Sequence, residues 1–149
     1  MDSIHISTGE KRIAIERDGK QAGEIVFTPT DALFAEKFYH LLGEFDTKLD
    51  EYRKRSDAID ASQKLDGYGL PINADERINL LKEACTYIRG KIDYVFGEGT
   101  SQAAFGDALS MDVFEQFFSG ITPYIRQART QLVAKYAVTP KPARKRAKK

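Results

Sequence analysis

The chain has 149 residues, 42% of them hydrophobic and 30% charged, with a formal net charge of +1; that is one domain's worth of sequence, with enough apolar material for a core that needs neither metal nor disulfide. Its single cysteine, Cys85, excludes an intramolecular disulfide, which suits a reducing compartment. No apolar run approaches the roughly 20 residues of a membrane span, and the N-terminal residues, with Asp2 and His5, lack the basic and apolar regions of a signal peptide.

Residues 3–27 read as a small antiparallel meander. Ile4 and Ile6 alternate with Ser3, His5 and Ser7. A turn at Thr8-Gly9-Glu10 leads to Ile13 and Ile15. Asp18-Gly19 is a strong hairpin signal, because its turn needs positive φ. Ile25 and Phe27 then share one face of the next strand, with Glu24 and Val26 on the other. One face is buried and one is wet. Three short strands are marginal alone, so helices must cover the apolar face.

A helix starts near Thr28-Pro29-Thr30-Asp31, with Thr28 as N-cap and Pro29 at the first position, or with Thr30 as the cap. Phe34, Phe38, Leu41, Phe45 and Tyr52 form its stripe, to about Ser62. At about 45 Å it is too long for a compact domain of this size, so its second half is expected to project or to meet a partner. Apolar surface left over at Leu49, Tyr52 and Ile59 would mark that interface, with simple packing on the second helix as the equal alternative.

Residues 63–72 hold Gly67, Gly69 and Pro71 and read as a loop. Asn73-Ala-Asp-Glu76 then resembles a capping box. Ile78, Leu81, Cys85, Ile88, Ile92 and Val95 carry the next helix to Phe96. At Gly97-Glu98-Gly99-Thr100 the pattern stops. Gly97 suits a left-handed C-cap. Thr100 reads as N-cap of a short helix over 101–105, Gly106 as its C-cap, and Phe96 and Phe105 as a clamp on the corner. A phosphate-binding loop is the alternative. Glu98 opposes it, and no lysine follows in the loop, so a structural turn is favoured.

Ser110 caps a last helix with Val113, Phe114, Phe117 and Phe118, broken or kinked at Gly120 and Pro123 and continuing to about Val138. Residues 139–149 carry Lys141, Arg144, Lys145, Arg146, Lys148 and Lys149 and no acid. Without these six, the rest of the chain has 17 basic and 22 acidic residues. The body is mildly acidic and the tail, expected to be disordered, is strongly basic. That tail could bind a polyanion such as nucleic acid, bind an acidic partner, or only solubilise.

Catalysis has little to stand on. His5 and His40 lie in different elements, and Cys85 falls on an apolar stripe, where a buried inert thiol is expected. No phosphate-loop, zinc-binding or nucleophile-elbow motif occurs. Asp46, Asp50 and Glu51 lack the ligand-rich loop a hard cation needs. No cofactor is expected.

At its corner the chain resembles a family of small tailed-phage and prophage proteins of Gram-positive hosts. These have a short β N-terminus, a long helix, then a helix ending in Phe-Asp-x-x-Phe-Gly-x-Gly-Thr with Phe-Gly shortly after. The matching residues are Ile92, Asp93, Phe96, Gly97, Glu98, Gly99, Thr100, Phe105 and Gly106, with Ile92 in place of the first phenylalanine. The match is specific over residues 88–118 and architectural over 1–62. Such proteins look like tail assembly chaperones, which bind the tape measure protein and keep it soluble until the tail tube assembles. The resemblance implies a non-enzymatic protein of the host bacterial cytoplasm. Its partner would be the tape measure protein or another phage tail protein, with self-association open. A virion structural or adaptor protein of the tail is the alternative, or a nucleic-acid-binding accessory acting through residues 141–149.

The expected fold is α+β. Residues 1–138 form one domain, with a three-stranded meander over 1–27 and a mainly helical bundle over 28–138. The basic tail follows over 139–149.

Overall fold

The structure is a computed structural model and describes residues 1–61, 65–70 and 72–138, with backbone alone over 131–138. The basic tail, including Lys141, Arg144, Lys145, Arg146, Lys148 and Lys149, lies outside the described residues. Among the described residues the fold is α+β: a two-stranded antiparallel sheet followed by four helices.

Strands β1 (Lys11–Arg17) and β2 (Lys20–Phe27) form a hairpin closed by Asp18 and Gly19. Both turn residues have positive φ, +54° and +81°, the backbone that lets a two-residue turn follow the twist of its strands. The register pairs Ile13 with Ile25 and Ile15 with Gly23, and shifts between Ile15 and Glu16. Ile15, Ile25 and Phe27 are buried, and Ile13 packs beside them.

The third strand expected over residues 3–7 does not form. Residues 1–10 have no regular structure, and Ile4 and Ile6 are 86% and 81% exposed. Alternation marks what could be a strand, but a strand also needs a neighbouring edge, and none is reached here.

Helix α1 (Ala32–Asp60) is capped by Asp31, whose carboxylate accepts from the Leu33 and Phe34 amides at 3.1 and 3.2 Å. The expected caps, Thr28 and Thr30, precede it. Thr28 instead closes a turn, accepting from the Asp31 amide at 3.0 Å. Helix α2 (Ala74–Phe96) runs back antiparallel to α1. Three polar ties mark the antiparallel order: Tyr87 to Glu44, Arg55 to Glu83 and Arg77 to Asp60. The second half of α1 therefore does not project. Tyr52 is buried against Leu80 and Ala84, with Ile59 packed beside them. A 23-residue partner, about 35 Å long, covers most of a 29-residue helix of about 44 Å.

After the short helix α3 (Thr100–Phe105) comes α4 (Met111–Val138), starting directly after Ser110. Gly120 and Pro123 do not break it. Phe114 before them and Ile121 and Ile125 around them enter one core, so packing on both sides outweighs the hydrogen bond lost at the proline. Thr122 adds a bond from its hydroxyl to the Phe118 carbonyl at 2.6 Å.

That core joins the hairpin to all four helices through aromatic rings. Phe27 meets Phe34 and Phe96 at 5.1 and 5.6 Å, and Phe96 meets Phe117 edge-on at 5.4 Å. Cys85, Ile88 and Ile92 are the most buried side chains.

Candidate functional site

Two features bring the sequence-predicted residues together: the corner between α2 and α3, and the groove between α1 and α2.

At the corner the backbone differs from its expected form. Gly97 ends α2 with φ +117° and ψ 147°, a conformation with positive φ but outside the left-handed helical region. The left-handed residue is Gly99 (φ +89°), and it, not Thr100, is the N-cap of α3. Thr100 is the first helical residue and is buried. Its amide donates to the Gly97 carbonyl at 3.1 Å, which closes the turn around an exposed Glu98.

The free amides of α3 are met from α2. Asp93 accepts from the Ser101 amide at 2.8 Å and from its hydroxyl at 3.0 Å. This places a carboxylate at the positive end of a helix, where it is favoured. The other end of α3 is met from β1. The Arg17 guanidinium donates to the Gln102 carbonyl at 3.3 Å and to the Ala103 carbonyl. Arg89 adds bonds to the Ala108 carbonyl and the Gln102 side chain, both 3.1 Å. Gly106 caps α3 with φ +58°, and a Cβ there would stand 3.3 Å from the Arg17 guanidinium. Phe96 and Phe105 meet through a third ring: each packs against Phe117, at 5.4 and 5.6 Å. The corner is thus a structural joint, with each glycine and the aspartate doing a backbone task.

Neither Arg17 nor Arg89 stood out in the sequence. Asp93 was visible as part of the motif, and a carboxylate eight residues before a serine that opens a helix is the signal of its capping role.

The second feature is the groove between α1 and α2. It has a volume of about 440 Å³ and an apolar wall of Leu49, Tyr52, Leu80, Leu81, Ala84 and Met111, with Arg53 and Arg77 among its other lining residues. Leu81 and Met111 are each 40% exposed. Of the residues expected at an interface, Leu49 and Tyr52 line this groove. Tyr52 is only 8% exposed and forms its floor, while Ile59 packs behind it. Leu81 falls on the apolar stripe of its helix in the sequence, and Met111 carries no local signal of its own.

Beside the groove the two helices are tied by charge. Glu44 takes hydrogen bonds from Lys91 at 2.8 Å and Tyr87 at 3.0 Å, and these hold its carboxyl below the usual range. Burial and the bond to Glu44 push the Tyr87 phenol up to about 12. The Arg55 hydrogen bonds lower Glu83.

Cys85 is fully buried, and burial raises its thiol. His40 is exposed on α1 and His5 lies in the N-terminal arm. Among the described residues, no group of three His, Cys, Asp or Glu side chains could hold a metal ion, and no helix is long and apolar enough to cross a membrane.

Comparison with known proteins adds one match. The family described as "Family of unknown function (DUF6673)" matches residues 22–149, most of the chain, so the chain belongs to that family. No curated protein and no solved structure matches it.

Proposed function

We propose that this DUF6673 family member is a non-enzymatic phage tail morphogenesis protein, a tail assembly chaperone that holds the tape measure protein in the host bacterial cytoplasm. The observation that carries the reading is the open apolar groove between α1 and α2. A tape measure protein is a long helical chain with apolar stripes, prone to aggregate before assembly. Such a helix is recognised by laying its i, i+3, i+4 and i+7 side chains into a groove between helices. Leu49, Leu81 and Met111 offer that contact, above a floor of Tyr52 and Leu80. The resemblance running from Ile92 to Gly106 points to the same class of protein.

The test is co-expression of this chain with the tape measure protein of its own genome. The expected result is a client recovered in soluble complex, lost when Leu49 and Leu81 are changed together to glutamate in a chain that still folds. Truncation after Val138 should leave the complex intact. If only the full-length chain holds the client, the contact is the basic segment from Lys141 to Lys149. If no form holds it and the chain is found in purified virions, the chain is an adaptor of the tail and the chaperone reading falls.

A further inference from the structure

The N-terminal arm and the surface beside its root are complementary. Residues 2–10 make no backbone hydrogen bond to the rest of the chain among the described residues. Ile4 and Ile6 are almost fully exposed. In an extended segment the side chains of Asp2, Ile4 and Ile6 fall on one face, spaced about 6.7 Å apart. That face carries one acid and two branched apolar groups.

At the root of the arm lies an open concavity of about 800 Å³, whose lining includes Thr8, Glu10, Val26, Leu33, Lys37 and Tyr94. Its wall exposes apolar side chains: Leu33 is 68% exposed, Tyr94 59% and Val26 36%. The Lys37 ammonium stands 4.8 Å from the centre of the Tyr94 ring. No carboxylate lies within ion-pair distance of it among the described residues. The lining also holds two acids, each already engaged: Asp31 accepts from the Leu33 and Phe34 amides and Glu10 pairs with Arg12, which leaves the Lys37 cation and the apolar wall as the counterpart of the arm's face. It also borders β2, which among the described residues has no ladder partner other than β1.

The arm does not fill its own concavity. Thr8 lines the wall, and Gly9 turns there with φ +82° against Thr30, where a Cβ would stand 3.2 Å from the hydroxyl. Beyond that turn the chain leaves the surface.

We propose that two copies of the chain exchange these arms, each placing Ile4 and Ile6 against Leu33, Val26 and Tyr94 of the other and Asp2 beside its Lys37. The contact is self-complementary, so one two-fold axis satisfies both sites and the assembly closes as a dimer. It involves neither the α1–α2 groove nor the tail and is independent of the client reading.

The experiment is the solution mass of the full chain across a concentration series, by light scattering after size exclusion. A dimer is expected, and the Ile4→Ser/Ile6→Ser variant should be a monomer with unchanged circular dichroism, because both side chains are exposed in the protomer; its Tm should match that of the parent chain at dilutions where the dimer has dissociated. Lys37→Glu should weaken the dimer about two- to fivefold, as a half-exposed ion pair does, and adding Asp2→Lys should restore it. Pairing Ile4→Cys with Leu33→Cys gives a second readout, since the native Cys85 is buried. Oxidation should link two chains. A wild-type monomer at every concentration, a dimer that survives loss of both isoleucines, or a disulfide formed within one chain would each overturn the proposal.

Discussion

Asp93, in the last turn of α2, holds both the amide and the hydroxyl of Ser101 in the first turn of α3, at 2.8 and 3.0 Å. One carboxylate thus joins two helices across the Gly97–Gly99 turn. Ser101 is 4% exposed, so its polar groups have little access to water in place of that partner. Asp93→Ala should destabilise the fold by about 1–2 kcal/mol, the range for loss of a helix cap with a partner left unsatisfied. Ser101→Ala removes only the hydroxyl donor and leaves the amide bond to Asp93 in place, so it should cost less. Urea unfolding of the two variants gives the order.

The glycines divide by sign. Gly97→Ala and Gly106→Ala each put a Cβ on a backbone with positive φ, and at 106 it also meets Arg17. Each should destabilise by about 1–3 kcal/mol. Gly43, Gly90 and Gly120 lie within helices, with open space where a Cβ would go. Alanine at any of these three should stabilise by about 0.5–1 kcal/mol. Thermal melts of the five variants should fall on opposite sides of the parent chain.

Leu49 and Tyr52 should behave differently although they share a groove. Tyr52 is the buried centre of the smaller apolar cluster, so Tyr52→Ala should cost about 3 kcal/mol in chemical denaturation. Leu49 is half-buried at the groove wall, and its change to glutamate should leave most of the stability. Equal losses in the two would show that the groove is closed in solution.

Alkali should loosen the α1–α2 pair. The folded Tyr87 phenol titrates near 12, above its ordinary value of 10. Between those two values the unfolded chain releases a proton that the folded chain keeps. This contribution is complete below pH 10 and is lost as the pH rises toward 12. Tyr87→Phe should show a flatter alkaline fall of Tm than the parent. The acid limb runs the other way. Glu44 and Glu83 sit below their ordinary range, so their contribution is present above it and declines as pH falls through the lowered values. Both are well exposed, and salt should shrink that limb.

Much of the fold was legible because its signals are local. Period 3.6 placed Phe34, Phe38, Leu41 and Tyr52 on one buried stripe, and Cys85, Ile88, Ile92 and Val95 on another. Asp18-Gly19 located its turn to the residue. The misses are long-range. Ile4 and Ile6 carry a strand's alternation, but only a neighbouring edge could have made it a strand. The length of α1 left a free or partner-bound end and packing on the next helix as equal alternatives, and only the fold decides: α2 returns along it and buries Tyr52. Ile78 and Leu81 share α2's apolar stripe yet are 54% and 40% exposed, because the first turns of α2 lie beyond the main core. Arg17 could not be identified as a cap on α3 by any local pattern, since its carbonyl partners lie 85 and 86 residues away. The groove was half legible: Leu49 and Tyr52 stood out as surplus apolar residues on α1, while Leu81 read as part of the apolar stripe of α2 and nothing local marked Met111.

The capture of α3 from both sides also sets an order of events in time. A helix of six residues cannot hold its shape alone. Asp93 is a local anchor, eight residues from Ser101, but Arg17 is 85 residues from its nearer carbonyl partner, so α3 is expected to close late, once the hairpin has docked. Contacts made that late weigh on the rate of opening rather than the rate of folding. On the ribosome, where the N-terminal side emerges first, both anchors have already left the tunnel when the residues of α3 arrive. The joint is therefore assembled by its last part entering a frame that is ready for it.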